Sequence, residues 1–262
     1  MYLSAERIAH ANRVVQETFQ QTSIAWQAIP HWDTGDPGQT LVRADVTAKP
    51  AAPALPLDPI HIPFDVTLAQ AISPTPDSLL AQVMAQTVHL AEQVDAKVLQ
   101  AVYVGKGSET QLPAMPNTIG DIIKELIEAR ASIEDAGYRA PSCLITNTLG
   151  LIALSELVSG YSVTEPLLTT ANVNALHRAT TIDAGLAAGK KLMLVLGRRL
   201  RIAPGYAAEA SPGEEPVDIA VSVPPSLEVV GENAAGGIKL AVRIHFATRI
   251  KDAHGIVTIV DP

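Results

Sequence analysis

The side chains that could do chemistry in this 262-residue chain are scattered, and their spacing fits no catalytic pattern. Its single cysteine, Cys143, lies inside the apolar run Ser-Cys-Leu-Ile-Thr, the setting of a buried structural thiol rather than a nucleophile. Histidines stand at 10, 31, 61, 89, 177, 245 and 254. They make no HxH, HxxxH or HExxH pair and have no cysteine pair nearby, so no metal is assigned. Gly105 and Gly107 lack the third glycine of a dinucleotide loop and follow a helical pattern, which reads as a helix stop. Gly185, Gly189 and Lys190 fall one residue short of a phosphate loop, and Lys191 stands where Ser or Thr would ligate magnesium. A plain turn is the reading there. Glu134 with Asp135, and Glu214 with Glu215, are adjacent carboxylates at a helix end and in a Pro/Gly loop, the pattern of solvated surface. No GxSxG elbow is present. No cofactor is assigned, and an enzyme with scattered catalytic residues is the weaker class.

The elements that would position side chains are easier to read. Ser4 caps a helix running to about Gln20, with Ile8, Ala11, Val15 and Phe19 three and four residues apart. Residues 23–32 carry Trp26, Ile29 and Trp32 into a turn marked by Gly35, Pro37 and Gly38. From Asp45 to Pro63 runs an arm whose prolines at 50, 53, 56, 59 and 63 remove backbone donors and favour polyproline or edge conformations. Such a segment builds no core alone and is suited to reach a neighbouring subunit. Phe64, Val66 and Leu68 alternate with polar residues, which predicts a strand. The spacing of Leu80, Met84, Val88, Ala91, Val94, Val98 and Val102 predicts a helix from Asp77 to about Val102. Thr118, with Asp121 three residues on, opens a helix that passes through Ile122, Ile123, Leu126 and Ile133 to Gly137. A buried strand over 143–147 and a helix from about Gly150 to Val158 make the middle α/β. From Leu192 onward, apolar runs separated by Gly and Pro read as strands. In one of them Ile238, Leu240, Val242, Ile244 and Phe246 share a face, against Lys239, Arg243 and His245 on the other.

Composition bears on what the surface does. The chain is 47% hydrophobic and only 18% charged, against about 25% charged for an ordinary domain. Its mean hydropathy is +0.20. A shortage of charge on this scale implies that much of the exterior is covered by other copies, the alternative being an Ala- and Val-rich monomer. The length allows one large domain or two small ones. A net charge of −8 argues against a nucleic-acid surface, which needs clustered Lys and Arg. No window approaches the roughly 20 apolar residues of a membrane helix; the best, Leu192 to Gly197, is stopped by Arg198, Arg199 and Arg201. Glu6, Arg7 and Arg13 interrupt any signal-peptide core. The single cysteine fits a reducing compartment, so the expected location is the cytoplasm, with no membrane partner.

The order of these parts resembles the encapsulins, bacterial shell proteins built on the major-capsid fold of tailed phages. The opening helix through NRVVQETF is similar to that family's first helix. AEQVDAKVLQAVYVGKGSETQL, with Asp95 and its glycine stop, is similar to the family's spine helix and following turn. IGDIIKELIEARASIEDAGYRAPSCLITN resembles its helix, glycine and buried strand ending in Asn147, and KKLMLVLGRRLRIAPGY its strand, Leu-Gly turn and strand ending in Gly205 and Tyr206. The likeness covers nearly the whole chain as a diffuse pattern.

It implies an α+β fold of the tailed-phage major-capsid type. The N-terminal helix and its connection would occupy 1–35 and the extended loop, or arm, 36–66. A peripheral domain with the long spine helix would take 67–110 and 221–262, and an axial domain 111–220. The resemblance further implies that the arm lies across a neighbouring subunit and that residues 159–174 lie near a symmetry-axis pore. The chain would assemble with itself into a closed icosahedral shell. A cargo protein would dock through a short terminal peptide in an apolar groove beside the N-terminal helix, where Phe19, Ile24 and Trp26 lie nearest. The alternative is that these three only pin the helix to the core. Two departures from the family are extra loop material within 207–237 and an arm unusually rich in Pro and Ala. The same fold builds phage heads, so a major capsid protein of a tailed phage or prophage, located in the virion, is the nearest competitor. The N-terminal helix and the lack of a long charged scaffolding segment favour the shell-protein reading.

Overall fold

The computed structural model describes residues 3–46, 53–113, 118–139, 141–187, 189–198, 215–232 and 236–262. Pro50, Gly205, Tyr206, Glu214, the strand expected over 200–205 and the extra loop over 207–214 lie outside the described residues.

Ser4 accepts the Arg7 amide and opens α1 (Ala5–Thr22), which buries Ala11, Val15 and Phe19. Ser23 ends α1 and its hydroxyl caps the short α2 (Ile24–Ala28). Strand β1 (His31–Asp33) leads through the expected turn to β2 (Leu41–Arg43) and β3 (Ala54–Pro56), which pair antiparallel as a two-stranded ladder. β4 (Asp58–Val66) then returns to the main body. The strand expected through Leu68 stops at Val66. Thr67 and Gln70 form a reciprocal capping box that turns the chain into α3 (Leu68–Ile72).

The spine helix α4 (Asp77–Val104) has 28 residues and buries Leu79, Val83, Thr87, Leu90, Ala91, Val94, Asp95, Val98, Leu99 and Val102. The expected stripe therefore holds from Ala91 onward but not before it. Leu80 is only partly buried and Met84 and Val88 are exposed, because the first turns bury the adjacent row. Thr87 fits that row because its hydroxyl donates to the Val83 carbonyl at 2.7 Å, which satisfies the buried polar atom. Gly105 closes the helix, and a Cβ at Gly107 would come within 2.4 Å of the Ala253 carbonyl oxygen, so only a bare backbone fits there.

After β5 (Ser108–Gln111), the Thr118–Asp121 capping box opens α5 (Ile119–Asp135) as its sequence predicts. β6 (Ser142–Thr146) is buried throughout. The next helix, α6 (Thr148–Leu154), begins and ends earlier than expected. Asn147 caps it by accepting the Gly150 amide at 2.9 Å, and Leu157–Val158 leave it to form β7. β7 pairs with β8 (Tyr161–Ser162) across Ser159 and Gly160, both at positive φ. α7 (Thr164–Thr170), β9 (Val173–Arg178) and a π-helical turn lead to β10 (Leu192–Leu196). The long β11 (Val217–Glu232) and β12 (Ile238–Ile250) follow, then β13 (Ile256–Val260).

Two sheets carry the fold. The first has the order β1-β11-β12-β4, and α1 and α4 pack on it through a core that includes Phe19, Val94, Val98, Ile219, Leu240 and Phe246. The second has the order β5-β13-β10-β6-β9, with Ile122, Leu126, Ala129 and Ile133 of α5 packed on Leu144, Met193 and Val257. Cys143 and Ile145 face the first core while Leu144 faces the second, which is why β6 reads as an uninterrupted apolar run. Residues 108–110 and 256–260 come from the stretches 67–110 and 221–262, which also hold α4 and most of β11 and β12. They join the second sheet, where the parallel β5–β13 and antiparallel β13–β10 ladders satisfy their backbones. Pro59 and Pro63 lie an even number of residues apart on the edge strand β4, opposite His245 and Ala241 of β12. Both missing donors therefore fall on the same, outward side of the sheet.

Candidate functional site

The three residues expected beside the N-terminal helix do come together, with unequal exposure. Phe19 is fully buried in the last turns of α1. Trp26 on α2 meets it edge-on, ring centroids 5.3 Å apart at 86°, and stacks its ring on the His31 imidazole at 3.7 Å and 25°. Ile24, partly buried, packs on the same core from the first turn of α2. Burial pushes the His31 pKa down against the opposing backbone hydrogen bond at Ile29, which favours the neutral form of the ring that Trp26 stacks on. The Trp26 indole N–H is sealed from solvent and has no hydrogen-bond partner among the described residues.

A carboxylate from the spine helix holds this corner in place. Asp95 accepts the Ser23 hydroxyl at 2.6 Å, the Ile24 amide at 2.9 Å and the Ala25 amide at 3.0 Å. The otherwise orphaned donors at the start of α2 are thereby satisfied across to α4. Burial raises the Asp95 pKa, while its three hydrogen bonds work against that shift. In the sequence Asp95 is visible only as an acid on an apolar helical stripe.

The base of the arm carries a second buried polar cluster that sequence reasoning missed. Arg249 grips the fully buried Asp218 with both ends of its fork, Nε to Oδ1 and Nη2 to Oδ2, each 2.7 Å. Its Nη1 donates to Asp45 Oδ2 at 2.7 Å and to the Arg43 carbonyl at 3.1 Å. Lys251 Nζ lies 2.9 Å from Asp218 Oδ2, and the guanidinium rides 4.7 Å above the Trp32 ring. Burial alone would raise the Asp218 pKa, but the Arg249 and Lys251 contacts outweigh it and hold the carboxyl below its ordinary value. The available signal was opposite charges set into the apolar runs of neighbouring strands, Asp218 in VDIAVSV and Arg249 in FATRI.

Elsewhere the geometry offers little chemistry. Burial pushes the Cys143 thiol up to about 12, so at neutral pH it is protonated. Glu215, expected on a solvated surface, is buried 3.6 Å from Arg198 Nε. Lys190 donates to the Pro262 carbonyl at 2.5 Å beside Gly189, a turn residue at φ +83. Among the described residues no group of three or more His, Cys, Asp or Glu is placed to hold a metal ion. No described helix is long and apolar enough to cross a membrane. The surface is notable for exposed apolar side chains around α6 and the β7–β8 hairpin: Leu149, Ile152, Leu157, Val158 and Tyr161, the last 77% exposed.

No protein-family model matches the chain, and no curated protein matches it by sequence. Solved structures do match it along nearly its whole length. The virus-like particle from Pyrococcus furiosus superposes with a TM-score of 0.73 at 15% identity, covering 97% of this chain and 98% of that one. A phage-related protein from Bordetella bronchiseptica gives 0.64 at 11%, covering 95% and 96%. The SrpI encapsulin from Synechococcus elongatus gives 0.59 at 13%, covering 92% and 88%. The chain thus has the α+β fold of tailed-phage major-capsid and encapsulin proteins, the fold its order of parts resembles.

Proposed function

We propose that the chain is a structural building block that assembles with copies of itself into a closed icosahedral shell enclosing a cargo protein. The observation that carries this reading is the end-to-end likeness to the virus-like particle, with 97% and 98% of the two chains covered. The exposed apolar patch around α6 and β7–β8, and a ladder held at its base, are what a subunit needs for repeated contacts that bury apolar surface. Closed point-group symmetry then limits growth.

In this reading the first sheet with the spine helix is the peripheral unit, the second sheet with α5 is the axial unit, and the β7–β8 hairpin stands near a symmetry-axis pore. The arm crosses a neighbouring subunit. A cargo peptide would lie against Ile24 and the accessible part of Trp26, with Phe19 as the floor beneath them. The chain itself would catalyse nothing, and the particle would reside in the cytoplasm.

The second reading, a major capsid protein of a tailed phage, is favoured by the phage-related protein among the fold neighbours. Light scattering on the purified protein should give a mass in megadaltons and negative-stain images closed particles. A stable monomer or dimer would overturn both readings. Packaged nucleic acid would select the virion, and a co-purifying protein released only on disassembly would select the cargo shell.

A further inference from the structure

We propose that Arg249 and Asp218 form a latch that fixes the direction in which the β2–β3 ladder leaves the subunit, and that closing this latch on Asp45 makes the subunit competent to assemble. Only the assembly step rests on the shell reading.

The ladder needs such a device. It is three residue pairs long, and a lone two-stranded ribbon of that size is marginal in water. Its own hydrogen bonds beyond the pairs run from the Ala44 amide to the Pro53 carbonyl and from the Leu57 amide to the Thr40 carbonyl. Its apolar footing on the body is small: Val42, Leu57, Ala220 and Ala247, with Trp32 and Leu55 at the margin.

A further attachment, among the described residues, is the guanidinium. Asp218 accepts both donors of one guanidinium edge in a planar bidentate grip, so the plane of the fork is set by the sheet and Nη1 is left pointing at the arm. There it holds the Arg43 carbonyl and the Asp45 carboxylate together. Asp45 stands at φ +48, a left-handed backbone that turns its carboxylate back onto Arg249.

Charge balance explains why the arm is required. From β11 comes Asp218, from β12 Arg249, and just beyond β12 Lys251, so the body alone sets two cations against one carboxylate. The arm brings Asp45, whose charge offsets the surplus, while the Arg43 side chain, 3.5 Å from Asp45 at Nε, is largely in solvent. β1 supplies Trp32, whose Nε1 donates to Asp218 Oδ1 at 3.4 Å.

The test uses hydrogen exchange over residues 40–46, on particles and on subunits at dilution, for wild type, Asp45→Asn and Arg249→Lys. Asparagine tolerates the left-handed backbone and keeps the shape of Asp45 while removing its charge, and Asp45 is half-exposed, so folding is spared. Both variants should keep wild-type far-UV circular dichroism, exchange at least threefold faster over 40–46, and give at least fivefold fewer particles at equal concentration. Arg249→Lys keeps the charge without the fork, so wild-type exchange in either variant would overturn the latch. Faster exchange with an undiminished particle yield would overturn its role in assembly. If the wild type forms no particles the shell reading falls, and exchange in the dilute subunits still decides the latch.

Discussion

Asp95 and Asp218 are two buried carboxylates with opposite acid responses. The Asp95 pKa is raised by burial in the folded state, so its contribution is fully present below the ordinary carboxylate range and declines as pH rises through the raised value. Chemical denaturation should therefore show wild type gaining most over Asp95→Asn on the acid side. Asp95→Ala should cost about 2 kcal/mol, since it orphans three donors. Asp218 is held low by Arg249 and Lys251 against its burial. Its contribution is present above the ordinary carboxylate pKa and is lost as pH falls through the depressed one. Asp218→Ala should cost about 3–5 kcal/mol by removing the carboxylate beside buried Lys251 and leaving Arg249 with Asp45 alone, and the thermal midpoint would register it. Cys143 should resist thiol reagents at pH 8 in the native protein and react once per chain in denaturant. Its buried thiol was legible from the run SCLIT. The two carboxylates were not, because a charge in an apolar run discloses no partner when that partner stands on another strand or helix.

At the scale of elements, caps were the legible part. Ser4 and the Thr118–Asp121 pair mark helix starts because a side chain within three residues meets the orphan amides. The phase of α4 was legible only from Ala91 onward, since its first turns offer two apolar rows and burial selects the one containing Thr87. That choice can be measured in the dissociated subunit. Leu90→Ala should lose about 2–5 kcal/mol, whereas Met84→Ala, at a position 42% exposed, should stay within about 0.5 kcal/mol. The β7–β8 hairpin was missed because its apolar residues continue the helical run in sequence, whereas the helix stops at Leu154 and the positive φ at Ser159 and Gly160 turns the chain back on itself.

For the whole molecule, the order of helix, arm, spine, α/β middle and β-rich end was enough to suggest the fold, because each part keeps its own periodicity. The sheet membership of β5 and β13 was not legible, since they enter the second sheet from distant stretches, and register between strands far apart in sequence leaves no local trace. In the shell reading the patch around α6 and β7–β8 meets copies of itself about an axis. Ile152→Glu should then repeat one charge around that axis and abolish particles in electron micrographs, while the subunit's circular dichroism is unchanged.

The prolines of β4 carry a consequence for how crowded copies behave. A strand rim that keeps its carbonyls but has lost two of its amides cannot zip onto an identical rim, because too few hydrogens remain to share. Newly made chains packed at high local density are thus steered away from fibrous, strand-by-strand stacking along that flank and left to recognise one another through side chains.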